Sequence, residues 1–433
     1  MAWRWTVEET KIMANEDNMP VSQRPVEVNV APDAPSEQEL KARFGRDVFR
    51  DFDVNDLGFN DHMVEVLDLQ AQHCPVAHSK VGEGYFWLTR NDDVRRVGQD
   101  WKTFSNAKGY MPNRPEGMPY IYPIEMDPPK QTAWREVLNP LMAPMVVDGF
   151  EDAIRADVNA LIDRFIDKGH CEFISEFGVI LPGWAFFKNS LGVPVELLGD
   201  LVHSIERSLF GPLDERSAQL SRAFVLLDEY LQQRSKEAPR GDMVDTILAG
   251  VIYEDGTPAS WQDKLGIAAD MTLGGIGTTT YVLGSVLHYL ATHPADRKAL
   301  TDNPALMPNA VEEFVRVFPP VIGSGRNCTR DVEVAGTQMK KGDWVLLAWA
   351  ASSRDAGVVK NPHTLDITRP NVMHTTFGVG PHRCVGSNMA RIELRVSFEE
   401  WLKRIPEFSL KPGTEPTYET SQLRSMSSLH LVW

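Results

Sequence analysis

Apolar and polar positions change their spacing three times along the chain, and each change predicts a different kind of element. Gly82 to Arg90, Gly-Glu-Gly-Tyr-Phe-Trp-Leu-Thr-Arg, is a short apolar run bounded by turn residues and reads as a strand; Asp92 to Asp100 reads as the amphipathic helix after it. Helical spacing then dominates from about Lys130 to Phe318, interrupted by Pro, Gly and Asp clusters near 182, 212, 238 and 255. The longest run, Ser260 to His293, spans about 34 residues or roughly 50 Å at 1.5 Å per residue, and Pro294 closes it. Being apolar on several faces, it is expected to cross the interior as one helix. After Pro319-Pro320 the spacing shortens to strands at Glu333 to Ala335 and, past the Lys340-Lys341-Gly342-Asp343 turn, Trp344 to Ala348. Alternation of Leu429, Leu431 and Trp433 within Phe408 to Trp433 predicts a closing hairpin. The fold class is therefore mainly α with small β-sheets.

Size and charge narrow this picture. The chain has 433 residues without a Gly/Ser linker, repeat or low-complexity tract, so residues 37–433 read as a single domain and residues 1–36 as a flexible tail, with Met13 an alternative start. Hydrophobic residues at 42% with 24% charged describe a soluble globular protein with ample core. A net charge of −16, from 44 basic and 60 acidic residues, argues against nucleic acid as the partner. No stretch of 18 or more apolar residues occurs, and residues 1 to 40 are polar, charged and proline-bearing; neither a membrane anchor nor a signal peptide is expected. The 4 cysteines lack the spacing of a disulfide framework and suit a cytoplasmic location.

One of those cysteines stands apart. Phe377-Gly378-Val379-Gly380-Pro381-His382-Arg383-Cys384-Val385-Gly386 presents it in a glycine-punctuated loop running into a helix. Gly378 and Gly380 allow a tight loop with its amides aimed at sulfur, and Gly386 lets the next helix pass close to a flat ring. Loop amides and the helix N-terminus would hold Cys384 as a thiolate, Phe377 would shield it, and His382 would reach a carboxylate of the bound ring. Cys74, Cys171 and Cys328 read instead as small buried apolar groups. The run resembles the haem-binding signature of the cytochrome P450 superfamily, Phe-Gly-x-Gly-x-His-x-Cys-x-Gly, at all six fixed positions. The resemblance implies haem b with Cys384 as its axial iron ligand, a long central helix over the haem, and the cysteine loop beneath it.

Other segments carry the same likeness. Glu313-Phe314-Val315-Arg316, followed by Phe318-Pro319-Pro320, matches the family's Glu-x-x-Arg, with Arg369 as the expected third member of a scaffold network. Haem propionates call for fixed donors, and the resemblance nominates Arg326, Arg135, Gln131 and His382. Leu273-Gly274-Gly275-Ile276-Gly277-Thr278-Thr279 matches the oxygen-binding groove, in which Thr278 would serve dioxygen; Gly277 stands where most relatives carry a proton-relaying acid. Asp270 lies two helical turns earlier on nearly the same face, as a pocket carboxylate, an orderer of relay water, or an acid paired elsewhere. Tyr110, Pro119, Tyr120, Tyr122, Leu273, Ile322, Gly323 and Leu423 are the further pocket candidates. Camphor-type bacterial members are similar in Met126-Asp127-Pro128-Pro129 and Trp401-Leu402-Lys403-Arg404-Ile405-Pro406, but Pro119 falls where their ketone-binding tyrosine would be, which puts camphor itself in doubt.

These readings imply a soluble monooxygenase that uses O2 to hydroxylate a small hydrophobic, terpenoid-like substrate. Electrons would come from a 2Fe-2S ferredoxin and its ferredoxin reductase, docking on the cysteine side near Arg135. A peroxide-driven haem-thiolate enzyme and a haem-based sensor are the rivals.

Overall fold

The computed structural model describes residues 22, 26–54, 56–112, 119–188, 190–210, 213–420 and 423–433. Most of the expected tail lies outside them. Residues 26–36 do not: Val28, Val30 and Ala34 pack against a core cluster, and Ser36 caps the first helix, Glu37–Phe44, through a capping box with Glu39.

A five-stranded sheet anchors the N-terminal side. Its strands run in the order Val76–Ser79, Tyr85–Leu88, Trp344–Leu347, Ser324–Cys328 and Phe104–Ser105, antiparallel except for the parallel pair of Tyr85–Leu88 with Trp344–Leu347. Tyr85, Trp87 and Leu346 enter one core cluster while Phe86, Leu88 and Leu347 enter another. Cover on both faces is why Tyr-Phe-Trp-Leu is continuously apolar rather than alternating. The helix after it, Asn91–Gln99, lies where the sequence predicts it.

Helices build the rest around one large core that includes Trp134, Phe173, Phe177, Val286, Phe314 and Trp401. The expected continuous helix from Ser260 to His293 is instead two, Trp261–Gly275 and Gly277–Thr292, broken at Ile276 (φ −92°, ψ −71°). Three glycines weaken the local preference for helix, and nearby threonines compete for its carbonyls: Thr278 Oγ1 donates to Gly274 O at 2.8 Å and Thr280 Oγ1 to Ile276 O at 3.0 Å. The C-terminal hairpin forms between Thr417–Thr420 and Arg424–Ser428. Leu431 is not in it: His430–Val432 pairs with His170–Glu172, in the middle of the helical region, and with Ser409–Leu410. Among the described residues no helix is long and apolar enough to cross a membrane.

Candidate haem-thiolate site

The cysteine loop is wound by its own backbone. Gly378 N donates to Thr375 O (2.7 Å) and Cys384 N to Phe377 O (2.8 Å), and Gly378 and Gly380 take φ of 71° and 68°, where a β-carbon is costly. Helix Ser387–Arg404 follows, with Gly386 at its N-cap. Cys384 is exposed while Cys74, Cys171 and Cys328 are buried. Enough protein encloses the thiol that burial raises its pKa, while the Gly386 N–H and the Arg135 charge oppose that rise.

Two other loop partners come from helix Lys130–Leu138: Gln131 Nε2 donates to Pro381 O (2.7 Å) and Arg135 Nη2 to Arg383 O (2.8 Å). Both were nominated for propionates, and both also pin the loop backbone. Arg326 is 3% exposed, and its Nη1 donates to the carbonyl of its neighbour Gly325 (2.8 Å); burial pulls its pKa down to about 10 against the opposing charge of Asp127. Among the described residues His382 Nε2 is buried without a hydrogen-bond partner, and burial, then the Arg326 and Arg135 charges, hold its pKa well below the usual histidine range. A buried guanidinium and an orphaned imidazole nitrogen are expensive unless an acceptor meets them. Carboxylates on a flat ring seated over Cys384 would satisfy both, so the donor set fits haem.

Opposite the loop, the broken helix pair offers an open face. Gly274 is exposed and Asp270, Leu273 and Thr278 are half-buried, whereas Ile267, Met271 and Ile276 between them are buried. A β-carbon on Gly275 would stand 3.4 Å from the Phe186 ring, an ordinary contact. Burial pushes the Asp270 carboxyl up to about 7, Arg135 opposing and Glu125 adding to the rise. Arg135 thus lies within electrostatic reach of Asp270 and of Cys384.

The remaining pocket candidates divide. Tyr122 N bonds Gly266 O (3.1 Å), and a β-carbon on Gly266 would stand 2.8 Å from the Tyr122 ring, so this loop is laid directly on the helix one turn before Asp270. Tyr120 stacks on Tyr122 at 5.8 Å, although Tyr120 and Pro119 are themselves exposed. Tyr110 O accepts from Gly325 N (2.6 Å), and half-buried Leu423 bridges to Val321. Ile322 is a correction: fully buried in the cluster with Phe52, Trp87 and Leu346, it presents no surface to a ligand. Gly323 is glycine because Trp87 and Leu347 O would stand 2.7 and 2.8 Å from a β-carbon there.

Behind the loop, the structure brings the three scaffold residues together. Arg316 is bidentate on Glu313 at 2.7 Å for both bonds, and Arg369 Nε adds bonds of 3.0 and 3.1 Å. A second network escaped the sequence. Glu312 accepts from Arg391 Nη2 (2.9 Å) and meets His374 Nε2 (3.2 Å); burial works to raise its carboxyl, but those partners outweigh it and hold it at about 2. Arg391 lies 4.5 Å over the Phe377 ring and His374 5.6 Å from it, so the residue expected to shield sulfur is clamped in place. The Glu-Glu pair at 312 and 313 was the available signal, since adjacent helical positions point to different partners.

Glu393 was also missed. It is 2% exposed on the helix after the cysteine; burial raises its pKa well above the carboxylate range, a hydrogen bond with Thr279 opposes this, and Oε2 has no partner. Folded protein therefore holds a proton that unfolded protein releases. The stability this gives is complete below the unfolded pKa and is lost as pH rises through the folded one. Glu393→Gln should melt progressively above the parent as pH is raised from 5 to 8, measured by thermal denaturation; a pH-independent difference would show that Glu393 holds no proton.

Known proteins match this geometry. Residues 301–430 match the cytochrome P450 family model. A probable cytochrome P450 127A1 of Sinorhizobium fredii is 31% identical over 359 residues, covering 82% of this chain and 85% of the relative. A vitamin D(3) 25-hydroxylase of Pseudonocardia autotrophica is 30% identical, covering 82% and 90%. The crystal structure of CYP101J2 superposes with a TM-score of 0.78 at 29% identity, covering 89% of this chain and 97% of that one. With these likenesses spread over a mainly helical fold and a cysteine loop whose buried donors fit haem, the chain belongs to the cytochrome P450 family: it is a monooxygenase carrying haem b on a cysteine thiolate.

Proposed function

We propose that Cys384 supplies that thiolate and that the enzyme hydroxylates a compact hydrophobic molecule, terpenoid-like in size, with electrons from a 2Fe-2S ferredoxin in the cytoplasm. The observation that carries the reading is the accessible thiol of Cys384, in contrast to three buried cysteines, together with the unpartnered Nε2 of His382 and the buried guanidinium of Arg326. Haem, when bound, supplies the activation of dioxygen for insertion of one oxygen atom into a carbon–hydrogen bond. Around it the chain has separate tasks. Gly386 N–H and Arg135 favour the charged form of sulfur, while His382 and Arg326 donate to propionates. Phe377, held by Arg391, is the ring assigned to shield the sulfur once haem covers its open side. Thr278 keeps its hydroxyl on Gly274 O at the helix break, where it can pass a proton.

Leu273, Gly274 and the Tyr122 loop support an apolar pocket with one polar group, Asp270, which orients a hydroxyl or carbonyl of the substrate. The hydroxylase from Pseudonocardia autotrophica, named for vitamin D(3), lends weight to a substrate of hydrocarbon character.

Titration with hydrophobic compounds should convert the haem from low to high spin for the right class, and reconstitution with a ferredoxin and its reductase should turn that compound over. Turnover with peroxide alone, and none with the ferredoxin system, would overturn the electron-donor assignment. Arg135→Ala should slow ferredoxin-driven reduction and weaken its dependence on ionic strength, because a local cation steering an acidic partner is screened by salt.

A further inference from the structure

Hydroxylation consumes protons: RH + O2 + 2 electrons + 2 H⁺ gives ROH + H2O. From Met271 to Leu287 the two central helices carry no carboxylate, histidine, lysine or arginine. Position 277, at the break, has no side chain at all. The nearest acid on them is Asp270, on the open face one residue before this stretch, so an acid serving the Gly277 side of the break has to come from another element.

A cavity of about 10 Å³ lies at that break, close to the room that one water needs. Its walls include Gly277 and Thr280 from the central helix, Ser425 and Met426 from the C-terminal hairpin, and Glu206 from helix Val195–Phe210. Among the described residues, Glu206 is the one ionisable residue on these walls. It is half-buried, so part of it stays in touch with bulk water. Thr280, Ser425 and Glu206, set among Val179, Ile205, Ile276 and Met426, offer one water the two to four polar partners it needs. The residue after Gly277 is Thr278, whose Oγ1 bonds Gly274 O at the same break.

Resting on the monooxygenase reading above, we propose that Glu206 supplies protons to this enzyme, passing them through one water in the Gly277 cavity to Thr278. The carboxylate stands on a neighbouring helix rather than on the central one, and Gly277 leaves the passage open. Glu206 gives its proton to the water and takes another from bulk solvent, so no electron moves and no group is consumed.

The first test needs no turnover. A high-resolution crystal structure of the holoenzyme should show a water in the cavity within hydrogen-bond distance of the Glu206 carboxylate, and E206L should lose it. A dry cavity in the parent, or a carboxylate turned away from it, overturns the proposal. The second test compares product formed per electron pair. A positioned proton donor is worth roughly 10²- to 10⁴-fold; acting through water, Glu206 should account for about tenfold or more, so E206Q falls by that factor and E206D keeps most of the parent's yield. Placing an acid at the break, G277D in the E206Q background, should restore much of the loss. Unchanged coupling in E206Q, with its substrate-induced spin shift intact, overturns the proposal. Failure of the parent itself to couple ferredoxin electrons to product counts instead against the proposed function, and the water in the cavity still decides the role of Glu206.

Discussion

Glu313→Ala should destabilise the protein by about 3–5 kcal/mol, the range for removing one partner from a buried ion pair. Glu313 and Arg316 are both 0% exposed, and Glu313 also accepts from Asp366 N (3.0 Å) and Arg369. Without the carboxylate, two guanidinium groups lose their counter-charge inside the fold. Arg316 still bonds Pro362 O (2.7 Å) and Thr364 O (3.2 Å), so part of the cost is recovered by carbonyls. The exposed pair Lys298–Asp302 is the control: its loss should change stability by under about 1 kcal/mol. Denaturant midpoints of the two variants, with haem content, check this. Equal midpoints would mean that the Glu313 network is not structural.

Gly380→Ala should be the most damaging single change in the cysteine loop. An L side chain at φ 68° costs about 1–2 kcal/mol, and overpacking adds about 1–3 kcal/mol. The new β-carbon would run into the carbonyl oxygen of Gly98 and stand 3.0 Å from Gln99 Cα, both backbone atoms of a packed helix end that no rotamer change relieves. Gly378→Ala shares the conformational cost at φ 71° but meets nothing nearer than 3.6 Å. It should therefore lose only the first part, about 1–2 kcal/mol. The order of haem retention on heating, parent above Gly378→Ala above Gly380→Ala, is the measurement; a reversed order would contradict the packing argument.

Those two glycines also show what sequence can and cannot disclose. Their conformations are local properties, legible from a ten-residue run, and so was the pairing of Glu313 with Arg316 one turn away. Arg369 reached the same network from 56 residues on only because the family resemblance pointed to it. Contacts fixed by packing were less visible. Ile322 has the apolar character of a pocket residue, but the pairing of Ser324–Cys328 with Trp344–Leu347 turns the chain so that its side chain enters the sheet core. The glycines at 274, 275 and 277 were the local sign of the helix break; its place was hidden because apolar spacing continues through Ile276, while the threonine hydroxyls that take its carbonyls act below the resolution of any periodicity. Nothing in the sequence singles out Glu393 or Glu206 among the chain's acids. Their burial and their neighbours, Thr279 and the Gly277 cavity, come from elements more than 60 residues away.

The cysteine remains the point on which everything else turns. The most direct measurement is the absorption spectrum of the reduced protein under carbon monoxide, in the parent and in Cys384→His. Thiolate ligation by Cys384 predicts a strongly red-shifted Soret band in the parent and its loss in the variant, with Cys74→Ala, Cys171→Ala and Cys328→Ala keeping it. A parent without that band, or a Cys384→His protein that retains it, would contradict the account.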